Sequence, residues 1–204
     1  MNGCRNVAGK EKIGVLALQG AVREHLNLFH KLGVEAIAVK RREQLDEMDG
    51  LVIPGGESTA IGKLIRQYDL RNPIMDFYAK GKPVFGTCAG LILIAKHIAE
   101  NDEAHLPLLD VTVQRNAFGR QVDSFEADLP IKGVAEDFRA VFIRAPLITS
   151  VGDDVDVLST VRDQVVAVQQ GNLLGISFHP ELTDDTRLHA YFLSMVQKAI
   201  EKLS

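Results

Sequence analysis

Apolar residues fall along this chain in two textures, and the texture changes near Leu108. Up to Ile98, continuous apolar runs alternate with stretches of helical spacing. Ile13-Gly-Val-Leu-Ala-Leu18 reads as a strand buried on both faces. Val22, Leu26, Phe29 and Leu32 then recur at helical spacing until Gly33 stops them. Val34 to Val39 and Leu51 to Ile53 are the next strands, followed by a helix through Tyr68 and another from Asn72-Pro73 to about Lys80. Pro83 to Phe85 is a short strand, and Leu91 to Ile98 an apolar run with helical capacity. Such alternation predicts a parallel sheet covered by helices on both sides.

Beyond Leu108 the strands are short and few helices separate them: Val111 to Val113, Phe125 to Ala127, Val141 to Ile143, Val155 to Leu158 and Val165 to Val168. They read as antiparallel additions to the sheet. Gln170-Gly171-Asn172 is a hairpin turn leading into a strand that runs from Leu174 toward His179. Asp184 to Leu203 closes the chain as an amphipathic helix, with Leu188, Phe192, Met195, Val196 and Ile200 on one face. The expected fold class is α/β, a three-layer sandwich with a mostly parallel central sheet and antiparallel additions. No internal repeat or low-complexity segment interrupts it.

Composition narrows the function classes. A chain of 204 residues with 46% hydrophobic content supports one substantial core, read here as one domain over residues 12–204 behind a disordered leader over 1–11. The net charge is −4 and the longest basic run is Lys40-Arg41-Arg42, a solvated strand end, so nucleic acid is not an expected partner. Two cysteines, Cys4 and Cys88, make no disulfide framework, which fits a reducing cytoplasm. No apolar run approaches the roughly 20 residues of a membrane helix. The histidines lack ligand spacing: His25 with His30 and His97 with His105 are assigned to the surface, and neither metal nor cofactor is expected.

The candidate chemistry centres on Gly86-Thr-Cys-Ala-Gly90, between the Pro83 strand and the apolar helix. Small flanking residues let the chain bend sharply and push Cys88 outward, as in the serine nucleophile elbow. A helix opening there favours a negatively charged, nucleophilic sulfur, and directs the Ala89 N–H at an oxyanion on an attacked carbonyl. A base is supplied by His179-Pro180-Glu181. In an extended chain residues two apart face the same side, so Glu181 reaches back to fix the His179 tautomer and leaves the other ring nitrogen for Cys88. Each residue has a plainer reading, Cys88 as a small buried hydrophobe and His179 as a hydrogen-bonded strand end; their combination favours the triad.

Two further stretches carry chemical potential. Pro54-Gly55-Gly56-Glu57-Ser58 follows a strand and precedes a helix capped by Ser58 or Thr59. It is either a second oxyanion donor from Gly55 or Gly56 or a glycine turn with a good cap, and it is not a Walker loop. Gln114 to Phe125 is long, polar and rich in donors, either a solvated or a binding loop.

Pro54-Gly-Gly-Glu-Ser-Thr59, Phe85-Gly-Thr-Cys-Ala-Gly90 and Phe178-His-Pro-Glu181 together resemble the three signatures of class I (triad) glutamine amidotransferases. Gly14-Val-Leu-Ala-Leu-Gln-Gly20 and Gly119-Arg-Gln-Val-Asp-Ser-Phe-Glu126 look specifically like the glutaminase subunits of pyridoxal 5'-phosphate synthases, of the deoxyxylulose-independent vitamin B6 route. The similarity runs from Ile13 to the C-terminus. It implies hydrolysis of L-glutamine through a Cys88 thioester, with His179 and Glu181 as base and orienter and Gly55, Gly56 and Ala89 at the oxyanion. It also implies a glutamine pocket of Gly56, Glu57, Ser58, Arg115, Ile143 and Arg144, an arginine suiting the α-carboxylate. The implied partner is a synthase subunit in a ring assembly that receives the ammonia, with Gln19 and the Gly-Gly turn where a docking signal arrives. Two rivals share these residues: a γ-glutamyl hydrolase or cysteine peptidase, and a non-catalytic partner-binding subunit. The Arg115 and Arg120 segment separates the first, and the intact triad argues against the second.

Overall fold

The computed structural model describes residues 11–100, 103–115 and 124–203. All but the last residue of the expected leader lies outside them, as does Arg120. The first half supplies the strands β1 (Lys12–Leu16), β2 (Glu35–Val39), β3 (Gly50–Ile53), β4 (Val84–Thr87) and β5 (Ala95–Ile98). The second half supplies β6 (Leu109–Gln114), β7 (Ser124–Ile131), β8 (Ala135–Ile143), β9 (Leu147–Val151), β10 (Asp156–Val161), β11 (Gln164–Gln170) and β12 (Leu173–Ile176). The helices are α1 (Val22–Lys31), α2 (Arg42–Asp46), α3 (Ser58–Gln67), α4 (Arg71–Ala79), α5 (Ala89–Ile94) and α6 (Arg187–Leu203). Among the described residues no helix is long and apolar enough to cross a membrane.

The central sheet runs β2-β1-β3-β4-β12-β11-β9-β6-β5, with β10 against β11. Its first five strands are parallel, and β12, β11, β9 and β6 continue antiparallel. Strand alternation sorts neighbouring side chains onto two faces. Leu16, Leu51, Ile53, Val84 and Leu173 pack with Ile61, Ile65, Ile74 and Phe77 from α3 and α4. Ile13, Val15, Val52, Phe85 and Leu174 pack with Phe29, Leu188, Phe192 and Val196 from α1 and α6. Fully apolar strands are therefore what a sheet covered on both sides requires.

Three expectations are corrected. The apolar run after Cys88 is not one helix: α5 stops at Ile94, where Ala95 turns extended (φ −67°, ψ 141°), and the remainder becomes β5. Its terminal carbonyls on Leu93 and Ile94 accept the N–H groups of Leu106 and Leu108, and β5 pairs parallel with β6. An unbroken apolar run has no period to mark that change. The Phe125 and Val141 strands do not extend the central sheet but pair with each other as the separate hairpin β7-β8. That hairpin buries Leu129, Ile131, Phe138, Ala140 and Phe142 in the core beside α6, and its closing strand delivers Ile143 and Arg144. Finally, the last helix begins at Arg187, three residues late, because Asp185 takes the N–H of Arg187 at 3.0 Å. The Gly171-Asn172 hairpin between β11 and β12 stands as expected.

Candidate active site

Register aligns the carboxyl ends of the parallel strands: Ile53 of β3 faces Gly86 of β4, and Thr87 faces Ile176 of β12. The segments that follow therefore emerge side by side. These are Gln19 to Ala21, Gly55 to Glu57, Cys88, and Ser177 to His179, gathered at the edge where open α/β sheets bind ligands.

Cys88 joins β4 to α5 with φ 50° and ψ −107°, in the left-handed region that is strained for any residue with a Cβ. Its N–H donates to Ile176 at 2.8 Å, and its carbonyl accepts from Leu91 and Ile92 at 3.1 and 3.3 Å. The small flanks are a steric necessity, since a Cβ on Gly90 would lie 1.9 Å from the Ile53 carbonyl. The bend thus holds one side chain toward the cavity. Its sulfur is largely covered and lies 3.9 Å from the Ile143 carbonyl.

His179 Nδ1 stands 2.6 Å from Glu181 Oε1. The pair forms by a different route from strand alternation. β12 has already ended at Ile176, and a single 3₁₀ turn over Pro180–Leu182 carries the carboxylate back under the ring. The His179 N–H donates to Val141 of β8 at 2.8 Å, which anchors the backbone. Burial opposes a charge on this imidazole, but hydrogen bonds to Cys88 and Glu181 and their charges outweigh it and push its pKa up to about 10. These contacts favour the charged form of the imidazole.

The glycine turn is braced from behind. The Gly55 carbonyl accepts the Ala21 N–H at 3.0 Å, and the Gln19 side chain accepts the Glu57 N–H at 2.9 Å. The helix cap is neither Ser58 nor Thr59. Glu57 caps α3, its two carboxylate oxygens accepting from Thr59 and Ala60 at 3.0 and 2.7 Å. A charged N-cap is invisible to the usual Ser/Thr signal.

A cavity of about 640 Å³ opens beside Cys88 and His179. Gly55, Gly56, Glu57, Ser58, Ala89, Arg115, Ile143 and Arg144 all line it, so the candidate binding residues from four separate stretches meet there. Arg115 is tethered by its N–H to Glu100 at 2.9 Å and by its guanidinium to Thr59 at 3.4 Å. Arg144 sits at φ 45° directly after β8. Glu100, Ile92 and Leu182 also contribute to the wall without any motif having marked them. Leu182 follows Glu181 in the turn, so the turn chemistry could have found it.

One expectation about the histidines is overturned. His25 is fully buried rather than at the surface, because α1 turns its 25, 28 and 29 positions inward onto the sheet. There its Nδ1 lies 2.8 Å from Nε2 of the equally buried His189, and its Nε2 lies 3.2 Å from Thr87 Oγ1 and 3.6 Å from Glu181 Oε2. Burial lowers the pKa of both, that of His189 to about 3, so both rings are neutral. His30 and His97 are exposed, and His105 is half-buried against Gly62.

Known proteins share this architecture and sequence. The curated pyridoxal 5'-phosphate synthase subunit PdxT of Niallia circulans is 64% identical over 188 residues, covering 92% of this chain and 99% of that protein. The protein of the same name from Bacillus thuringiensis (strain Al Hakam) is 61% identical, with 92% and 96% covered. A crystal structure described as a glutamine amidotransferase superposes with a TM-score of 0.87 at 48% identity, covering 91% of this chain and 98% of its own. Residues 15–198 match the SNO glutamine amidotransferase family, and this chain belongs to it.

Proposed function

We propose that this chain hydrolyses L-glutamine to L-glutamate and ammonia and supplies the ammonia to a synthase subunit that makes pyridoxal 5'-phosphate. The observation that carries this reading is the 2.6 Å contact between His179 and Glu181 beside Cys88, at the wall of a cavity sized for a small molecule. The subunit names of relatives 61–64% identical support the route, and their chains are covered almost end to end.

In this reading Cys88 Sγ attacks the side-chain amide carbon, and the carbonyl electrons move onto oxygen. Ala89 and the Gly55-Gly56 turn receive that oxyanion. As the tetrahedral centre collapses, the C–N bond breaks and His179 gives its proton to the departing nitrogen, which leaves as ammonia. The thioester remains on Cys88. His179 then takes a proton from water, whose oxygen attacks the thioester carbon and releases glutamate and the sulfur. Glu181 holds the ring in one tautomer throughout. Arg115 and Arg144 are suited to the α-carboxylate of a free amino acid, with Glu57, Ser58, Gly56 and Ile143 forming the rest of the pocket.

The synthase partner is read as a ring assembly, and the working location as the cytoplasm. The catalytic domain is read as residues 12–204. Gln19 bears on the Glu57 N–H behind the glycine turn, a route by which docking would set the oxyanion donors. The test is ammonia release from L-glutamine with and without the synthase subunit, with Cys88→Ala as control. Release that needs Cys88 and rises with the partner, and a rise lost in Gln19→Ala, is the expected result. No release in either condition by folded protein would turn the reading toward a γ-glutamyl peptide substrate or a scaffolding subunit.

A further inference from the structure

Behind the Glu181 carboxylate lies a buried polar chain that the triad does not use. Glu181 Oε1 is taken by His179, while Oε2 is buried with no hydrogen-bond partner within ordinary reach among the described residues. His25 Nε2 lies 3.6 Å from Oε2, and His25 Nδ1 continues to His189 Nε2 at 2.8 Å. Phe29 and Phe85 stand edge-on to His189, and Phe85 also to His25, so the chain is sealed in aromatic packing. The 2.8 Å gap between the two rings is a hydrogen-bond distance, and among the described residues no group of three or more side chains is placed to hold a metal ion.

Proton positions in this chain follow from its far end. Among the described residues His189 Nδ1 is buried and has no hydrogen-bond partner. A neutral imidazole has one N–H and one lone pair, and a buried bare lone pair is less costly than a buried N–H without an acceptor. The His189 proton therefore belongs on Nε2, where it donates to His25 Nδ1. His25 is then obliged to carry its own proton on Nε2, the nitrogen that faces Thr87 and Glu181. The opposite assignment would leave one N–H on His189 Nδ1 and a buried carboxylate oxygen with no donor. One tautomer choice in α6 thus determines what the triad carboxylate meets.

We infer that His25, with its tautomer fixed by His189, is a positioning residue that turns its Nε2 N–H toward the free oxygen of Glu181, an electrostatic contact at 3.6 Å, longer than a hydrogen bond, that holds the carboxylate aimed at His179. The Thr87 hydroxyl shares the same N–H at 3.2 Å, which places the donor between the residue before the nucleophile and the carboxylate behind the base. The inference rests on the triad reading above for its catalytic consequence, and on the geometry alone for its tautomers.

Two measurements test it. Histidine-selective ¹⁵N NMR of the full-length protein reports which ring nitrogen carries the proton. The expected result is N–H at Nε2 in both His25 and His189, and N–H at Nδ1 in His25 would overturn the inference whatever the enzyme turns over. The second measurement compares His25→Leu with His25→Gln, whose amide nitrogen occupies nearly the place of Nε2. Both variants remove the acceptor for His189, so they differ in the donor to Glu181. Expected is a fall of about tenfold in kcat for His25→Leu with KM for glutamine within about twofold of wild type, and recovery of most of that loss in His25→Gln. Equal losses in the two folded variants, or wild-type kcat in His25→Leu, would sink it. Should Cys88→Ala still release ammonia, the triad reading fails instead, and the tautomer result stands independently.

Discussion

The Cα of Gly55 lies so close to the His179 ring that a Cβ at this position would stand 2.6 Å from Cε1 and 3.0 Å from Nδ1. The same Cβ would meet Cβ of Cys88 at 3.4 Å. Glu181 holds Nδ1 of the same ring at 2.6 Å, so a ring pushed aside by the added methyl group is pushed out of that contact. Gly55→Ala is therefore expected to fold and to lose activity by on the order of 100-fold, the scale of a catalytic group displaced by about an ångström. Circular dichroism together with ammonia release checks it, and near-normal turnover would mean that the ring moves freely.

Strain at Cys88 sets a second expectation. With φ at 50° and ψ at −107°, a Cβ is unfavourable there, and glycine alone is relaxed. Cys88→Gly and Cys88→Ala should both be inactive, yet the glycine variant should be more stable by about 1 kcal/mol. Urea unfolding of the pair decides the matter, and equal midpoints would show that the elbow is unstrained.

Glu57 should behave as a cap. Replacing it by alanine removes both acceptors from the Thr59 and Ala60 N–H groups and should cost about 1 kcal/mol of stability. Glu57→Gln keeps one acceptor and should lose less. Thermal unfolding of the two variants would show no ordering if the carboxylate served only the ligand.

Stability should peak near neutral pH. His25 and His189 are held below their ordinary 6.5 by burial, so below pH 6.5 the unfolded chain binds protons the folded one refuses. Their contribution is neutral above pH 6.5, and stability drops as pH falls from there toward about 3, where the buried His189 charges at last. His179 works on the other side, since its folded pKa is raised from 6.5 to about 10. Its stabilisation is complete below pH 6.5 and is lost as pH rises through about 10. Denaturant unfolding across this range should give a dome, and His189→Phe should flatten its acid flank. A flat profile between about pH 6.5 and 4.5, above the ordinary carboxylate range, would contradict it.

Local features were legible because their causes are local. Continuous apolar runs announced strands covered on both faces, small residues around Cys88 announced a forced bend, and His179-Pro-Glu181 announced an imidazole paired with a carboxylate. The alternation of strands and helices also gave the parallel half of the sheet. The strands follow from the spacing of side chains on a backbone of known period, whereas the His179–Glu181 pairing was reached through a 3₁₀ turn that this period does not predict.

Tertiary structure alone decided which strands meet and which polar groups end up without water. The run after Cys88 carries no period, so only the availability of β6 as a partner converts Ala95–Ile98 into a strand. The β7-β8 hairpin lies apart from the sheet with its apolar face on Phe178, whose ring is 5.9 Å from Phe138 and 5.3 Å from Phe142, a contact between segments far apart in sequence. His25 looked like a surface residue on a charged helix, and it became the group behind the Glu181 carboxylate only when α1, α6 and β4 closed around it. Pattern fixes the face a residue can present; burial against distant segments decides whether that face meets water, a lone pair or a charge.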